Sequence, residues 1–497
     1  MNVLIDLNTL DGYRTFLKIK SLPVYRFTGQ MAWFPDEYAA LVSGGTASRP
    51  AAAYDPHPKL FDYQRDIAKL AIRKRKFAVF ASCGLGKTLI LTEYVRHVAS
   101  VIPANRRVLI VSPLMVIGQT IKEYARFYGA DRPVTQIRSR DLAAWMGGEG
   151  DGQIGITNYE AITDDLPSNN CLACIALDES SSLKSAYGKW GTRLIALGRG
   201  LDWKLCLTGT PAPNDRIEYA NHAVFLDHYP TVNAFLARFF VNRGQTQERW
   251  ELKPHALRPF YNALSHWCIF LSRPAVYGWK DNSAPLPPIR THIIDVPLTD
   301  EQADMASKLG GSLFGVPKLG GIGTRGKWGR LAKGFDFDGK PIKTNKTKIV
   351  CDLAREATSI VWCKYNNEQD MLAELMPDAA NITGATKDDD RITRIESFQS
   401  GQSNILISKP EILGYGLNLQ VANRQVFSTV EDSWEKFHQA VKRSNRTGSK
   451  YPLDVFIPVT DFERPQLETV LTKAHRIEQD ECEQEKLFKE IGHVEFN

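Results

Sequence analysis

The chain has 497 residues, 43% of them hydrophobic and 24% charged, with a net charge of +6. That length exceeds what one core serves and predicts two or three domains, and the composition excludes a largely disordered protein. No apolar run approaches the ~20 residues of a membrane helix, and the first residues lack the basic flank and apolar core of a signal peptide. The eight cysteines are scattered, as in a reducing cytosol, so a cytoplasmic location is expected. The mild positive charge suits a polyanionic partner without demanding one.

Residues before about Tyr54 carry no legible motif, although the proline-bounded Phe34-Pro35-Asp36 suggests a small accessory unit. Phe61-Asp62-Tyr63-Gln64 then sits one helix ahead of the first strand. The Gln64 amide matches the donor and acceptor edge of adenine, or is an ordinary surface glutamine. The apolar run 77–80 leads into Ala81-Ser82-Cys83-Gly84-Leu85-Gly86-Lys87-Thr88 and a helical run. This is a strand, a glycine loop and a helix start, the arrangement that holds nucleotide phosphates. Gly84 and Gly86 let the backbone N–H groups turn inward, and the helix adds its positive end. Lys87 reaches the β/γ-phosphates, and Thr88 offers a hydroxyl to Mg²⁺. Ala81 stands where the general pattern has Gly, a form tolerated in helicase-like ATPases.

Further strands are expected at 108–111, 154–156, 175–177 and 205–207, and in the second half at 359–363, 404–407, 424–427 and 454–457. Alternation with helical stretches, twice over, predicts α/β units with parallel sheets. Cys171 and Cys174 form a lone C-x-x-C with no second pair, and Cys174 lies in an apolar run, which points to core packing over zinc. At the end of the 175–177 strand, Asp178 and Glu179 supply a magnesium anchor and a group to polarise attacking water. Leu207-Thr208-Gly209-Thr210-Pro211 reads as a loop held close to something.

Leu286-Pro287-Pro288-Ile289 reads as a proline-stiffened linker. Residues 310–348 are glycine-rich and basic, with Lys318, Arg325, Lys327, Arg330, Lys333 and Lys346 among the cations. They form either a solvated loop or a phosphate-backbone surface with Trp328 and Phe335 available for stacking. Residues 414–420, centred on Gly416, can pass their backbone near a ligand. Gln439, Arg443 and Arg446 fall at i, i+4 and i+7, a spacing that lines them on one helix face. From Asp461 the pattern is an amphipathic helix with acidic residues.

In order, Gln64, residues 84–88, Ser112-Pro113-Leu114, Thr157-Asn158-Tyr159-Glu160, Asp178-Glu179, Thr208-Gly209-Thr210, residues 414–420 and residues 439–446 resemble the motifs of superfamily-2 helicases. Within that superfamily they look most like Swi/Snf-type ATPases, in a compact bacterial or phage form. The likeness runs from about residue 54 to about 459 and departs at Ser180-Ser181, Ser82-Cys83 and Gly448-Ser449.

The resemblance implies an α/β fold of two tandem RecA-like lobes with parallel sheets, an ATP cleft between them and a helical C-terminal tail. Its borders would be 1–54 for an accessory segment, 55–290 and 291–460 for the lobes, and 461–497 for the tail. ATP and Mg²⁺ would be held by Gln64, Gly84, Gly86, Lys87, Thr88, Asp178, Gly416 and Gln439. Lys87, Asp178 and Glu179 would be catalytic, with Arg443 and Arg446 as arginine fingers. Nucleic acid would meet Pro113, Asn158, Lys364, Tyr365, Arg325, Lys327 and Arg330. The expected activity is DNA-dependent ATP hydrolysis driving movement along DNA, duplex favoured over single strands. The alternatives are a strand-separating helicase, a motor subunit of a restriction or anti-defence complex, and a non-motor nucleotide switch. The paired arginines in a separate lobe argue against the switch.

Overall fold

The short apolar runs that alternate with helices become two all-parallel sheets, whose inner strands are buried on both faces. The computed structural model describes every residue except 23, 36–37, 44–53, 168–170, 184–187, 214, 245–249, 281–285, 309–321, 414–416, 430–433, 447–448 and 492–497. The chain divides into two compact units, Met1–Asn282 with Asp480–Asn497, and Ser283–Gln479. No helix among the described residues is long and apolar enough to cross a membrane.

At the start of the first unit, β1 (Asn2–Leu4), β2 (Arg26–Thr28) and β3 (Met31–Trp33) pair antiparallel in the order β1-β3-β2. Helix Leu10–Lys20, capped by the Thr9 side chain, joins them around Ile5, Ile19, Leu22, Ala32 and Phe34. The large sheet of this unit contains β4 (Lys76–Ala81), β5 (Arg107–Ser112), β6 (Val134–Gln136), β7 (Ile154–Asn158), β8 (Leu172–Asp178) and β9 (Trp203–Thr208). A short pair, β10 (Phe240–Asn242) and β11 (Trp250–Leu252), precedes its last member, β12 (Cys268–Leu271).

The order β12-β4-β9-β8-β5-β7-β6 places β4 inside the sheet. Ala81 lies beside Leu271, Phe80 beside Thr208, and Asp178 beside Leu207. The carboxyl ends of β4, β9 and β8 are therefore neighbours, at the edge where open α/β sheets hold ligands. Cys174 is fully buried in β8. The last turns of helix Arg464–Ile491 belong to this unit: Glu485 accepts the Ser272 N–H at 2.9 Å, and Phe488 packs on Phe270 at 5.0 Å.

The second unit holds β13 (Ile289–Asp295), β14 (Ser359–Trp362), β15 (Ala380–Asn381), β16 (Ile405–Ser408), β17 (Arg424–Phe427) and β18 (Leu453–Val459). Their order is β13-β18-β17-β14-β16-β15. The expected linker needs correcting, because Ile289 opens β13. The preceding prolines lack an N–H but keep their carbonyls, which accept from Asn445 Nδ2 and the Leu453 N–H.

The basic segment is also not what composition suggested. Residues 309–321, with Lys318, lie outside the described residues. Beyond them come helix Ile322–Ala332, which carries Arg325, Lys327 and Arg330, and helix Lys346–Arg355. Trp328 and Phe335 are buried, Trp328 against Phe462 at 4.7 Å, so neither ring is offered for stacking on a base. Lys333 and Lys346 are buried too. Both ammonium groups bind one carboxylate, Glu463, at 2.8 and 2.6 Å.

Burial alone would raise the Glu463 carboxyl, but the two ammonium groups overcome it and hold it down at about 2. A depressed carboxyl contributes stability above its unfolded value, and that contribution is lost as pH falls through the folded value. The gap in melting temperature between wild type and Glu463→Gln should therefore be widest above about pH 5 and close toward about pH 2. A gap that did not change with pH would show that the charge of Glu463 contributes nothing.

Candidate functional site

The phosphate-loop sequence folds as its glycines require. Gly84 and Gly86 sit at φ +88° and +70°, backbone that side chains rarely adopt, and Gly86 caps helix Lys87–Val101. A Cβ at Gly86 would fall 2.2 Å from Gln64 Nε2. That contact shows where Gln64 goes. Its Oε1 accepts the Phe61 N–H at 3.0 Å and its Nε2 donates to the Leu85 carbonyl at 3.3 Å. Buried and engaged at both ends, Gln64 holds the loop from beneath.

Lys87 opens the helix, and its Nζ arches back to donate to the Ala81 carbonyl at 2.9 Å. Gly209 lies against the same loop: a Cβ there would stand 3.4 Å from the Ala81 oxygen and 3.5 Å from Lys87 Nζ. The Thr208-Gly209-Thr210 turn is thus held close to the phosphate loop. Thr208 Oγ1 accepts the Thr210 N–H at 3.1 Å and donates to Glu179 Oε2 at 3.4 Å.

Asp178 ends β8 in the interior. Ser112 Oγ donates to its Oδ2 at 3.1 Å, and the Tyr159 hydroxyl donates to its backbone carbonyl at 2.7 Å. Burial, and then the adjacent Glu179 carboxylate, push the Asp178 carboxyl up to about 6, against the pull of Lys87 and the Ser112 bond. Glu179 itself takes φ +52°, a left-handed conformation that costs a non-glycine residue about 1–3 kcal/mol. After it, in the turn Ser180–Leu183, Ser180 Oγ meets His222 Nε2 at 3.0 Å.

These residues fit a nucleotide with Mg²⁺. The two positive-φ glycines shape the turn between β4 and the helix, and the Thr88 hydroxyl and Asp178 carboxylate are the hard oxygen donors Mg²⁺ prefers. A cation beside Asp178 would also offset the cost of burying its charge.

In the second unit, Gly416 lies outside the described residues. Gln439 is buried on helix Trp434–Val441, but Arg443 and Arg446 come after that helix has ended. The single helix face expected for all three does not exist. Ser444 and Asn445 favour turns because their side chains compete for backbone groups. Arg443 Nε donates to the Gln439 carbonyl at 3.1 Å, and Arg446 Nε to the Lys442 carbonyl at 3.2 Å. Arg443 is buried and Arg446 half-buried.

Pro113 and Asn158 are brought together, since they follow or end neighbouring strands whose Ser112 and Asn158 are paired. Lys364 and Tyr365 follow β14, and the Lys333 ammonium stands 5.6 Å over the Tyr365 ring. A Cβ at Gly329 would come 3.3 Å from the Tyr365 hydroxyl, so helix Ile322–Ala332 packs there, with Lys327 and Arg330 exposed. Four supporting residues were not foreseen in site roles. Ser112 and Tyr159 stood inside recognised motifs, Ser180 was noted only as a departure, and His222 carries no local signal.

A model of the SNF2-related domain matches residues 78–309, and one of the helicase conserved C-terminal domain matches residues 345–448. The "Putative ATP-dependent helicase/translocase YwqA" of Bacillus subtilis (strain 168) is 24% identical over 411 residues. That match spans 74% of this chain and 42% of the relative's length. The SWI2/SNF2 ATPase core of Sulfolobus solfataricus, solved in complex with dsDNA, covers 89% of this chain and 98% of its own at 18% identity, with a TM-score of 0.40. With the tandem SNF2-related and helicase C-terminal domains and two parallel-sheet units in hand, the chain belongs to the Swi/Snf-type superfamily-2 helicase-like ATPases.

Proposed function

We propose that this protein is a DNA-dependent ATPase of the translocase type, coupling hydrolysis to movement along duplex DNA. One observation carries the catalytic part: the phosphate loop, Asp178-Glu179 and Thr208-Gly209-Thr210 meet on three neighbouring strand ends. Gly84 and Gly86 free backbone N–H groups for the phosphates, and Lys87 neutralises the β/γ oxygens. Thr88 and Asp178 would hold Mg²⁺, which when bound neutralises phosphate charge. Glu179 orients and polarises the attacking water. Gln64 keeps the loop in shape, while Gly416 and Gln439 are assigned to the nucleotide from the second unit. Arg443 and Arg446 are assigned to the charge that develops in the transition state.

Pro113, Asn158, Lys364, Tyr365, Arg325, Lys327 and Arg330 are assigned to the DNA backbone. The name of the Bacillus relative agrees with a translocase. Trp328 and Phe335, the two rings considered for stacking, are buried, so neither is available to part strands.

Hydrolysis should rise most with duplex DNA, less with single strands and least with RNA. Contacts from the four assigned cations would lose roughly 150-fold in affinity between about 50 and about 200 mM salt. Triplex displacement would report movement, and a forked duplex would report unwinding. Stimulation by single strands only, with robust unwinding, would make the protein a strand-separating helicase instead.

A further inference from the structure

The turn that follows the acidic pair is fastened from a distance. Ser180 and His222 are both fully buried, and their side chains meet at 3.0 Å. Next to His222 on helix Tyr219–Phe225, Asn221 Nδ2 donates to the Leu183 carbonyl at 2.6 Å. Two consecutive residues of one helix thus hold both ends of the turn Ser180–Leu183. The His222 ring also stands edge-on to Phe80, two residues before the loop begins at Ser82, with centroids 5.3 Å apart.

Burial lowers the His222 pKa to about 4, so the imidazole is neutral and carries one N–H. Its Nδ1 faces the Glu218 carbonyl at 3.5 Å, which can only accept. One ring nitrogen donates and the other accepts, so the ring ties Glu218 on its Nδ1 side to Ser180 on its Nε2 side.

We propose that His222 is a positioning residue for the Glu179 carboxylate. It grips Ser180, the residue after a glutamate held in a left-handed conformation that does not persist unless its surroundings over-determine it. Thr208 holds the Glu179 side chain, and His222 and Asn221 hold the backbone that aims it. The helix that follows the Thr208–Thr210 loop in sequence thereby sets where the water-polarising group points. This rests on Glu179 having the role given above.

The test compares His222→Leu, His222→Gln, Ser180→Ala and the double variant Ser180→Ala/His222→Leu. Turnover at saturating ATP and affinity for a fluorescent ATP analogue are measured separately. His222→Leu should lose about tenfold or more in turnover, because small misplacements of a catalytic group are costly, with affinity within about twofold. His222→Gln, whose amide can donate or accept toward Ser180, should recover most of the loss. Ser180→Ala should match His222→Leu, and the double variant should be no worse than either single one.

Amide hydrogen exchange gives a second readout that needs no hydrolysis. Exchange at residues 179–183 should quicken in His222→Leu and Ser180→Ala but not in His222→Gln, with β4 unchanged. A wild type that hydrolyses no ATP would sink the ATPase assignment and leave the exchange experiment to judge the clamp. Wild-type turnover in His222→Leu, multiplicative losses in the double variant, or unchanged exchange would overturn the proposal.

Discussion

Lys87→Ala should abolish ATP hydrolysis, with a loss of at least about 10²–10³ in turnover, while the protein stays folded. The side chain is half-buried and makes one hydrogen bond within its own loop, to the Ala81 carbonyl. Losing that bond costs about 1 kcal/mol, too little to unfold a two-unit protein. Nucleotide should displace Nζ from the carbonyl and take it as a phosphate ligand, so the same substitution also weakens ATP binding. A folded Lys87→Ala protein that hydrolyses ATP at near wild-type rate would place the site elsewhere.

Arg446→Ala should keep nucleotide affinity within a few fold and lose about 10³ or more in turnover, as expected for a cation acting on the transition state alone. Affinity measured apart from turnover decides this. A large affinity loss with turnover preserved at saturation would assign Arg446 to ground-state binding. Arg443→Ala is a less clean probe. The Arg443 side chain is almost fully buried, so truncating it should also cost about 1–3 kcal/mol of stability.

Much of the fold was legible because burial on both faces leaves a strong trace. Nine strands stand where short apolar runs sit between turn residues, from β4 through β18. Other elements left weaker traces. β12, Cys268–Leu271, continues an apolar helix almost without a break, and a four-residue run cannot be told from a helix end. β13 hid behind two prolines, and as an outer strand it is only partly covered.

Within the site, the loop, Asp178 and Glu179 could be found because strand, glycine and acid follow one another locally. His222 could not: its partner lies 42 residues away and nothing in sequence joins them. The basic segment misled through composition. Counting cations says nothing of a carboxylate such as Glu463, 130 residues beyond Lys333, that neutralises two of them inside the protein. The contact of Gln64 with the loop carbonyl of Leu85 was not legible either, because it joins residues 21 apart in sequence.

The position of β4 governs the order in which the protein can fold as it is synthesised. The strand that carries the phosphate loop emerges early, yet its two neighbours are β9 and β12, completed only at Thr208 and Leu271. Until then β4 is an apolar ribbon with open edges, the kind of surface that recruits other chains. Closure is later still, because Phe270 and Ser272 are covered by Phe488 and Glu485. A recombinant fragment cut after residue 282 would present that end of the sheet uncovered, and its yield should improve when a peptide spanning 480–497 is supplied with it.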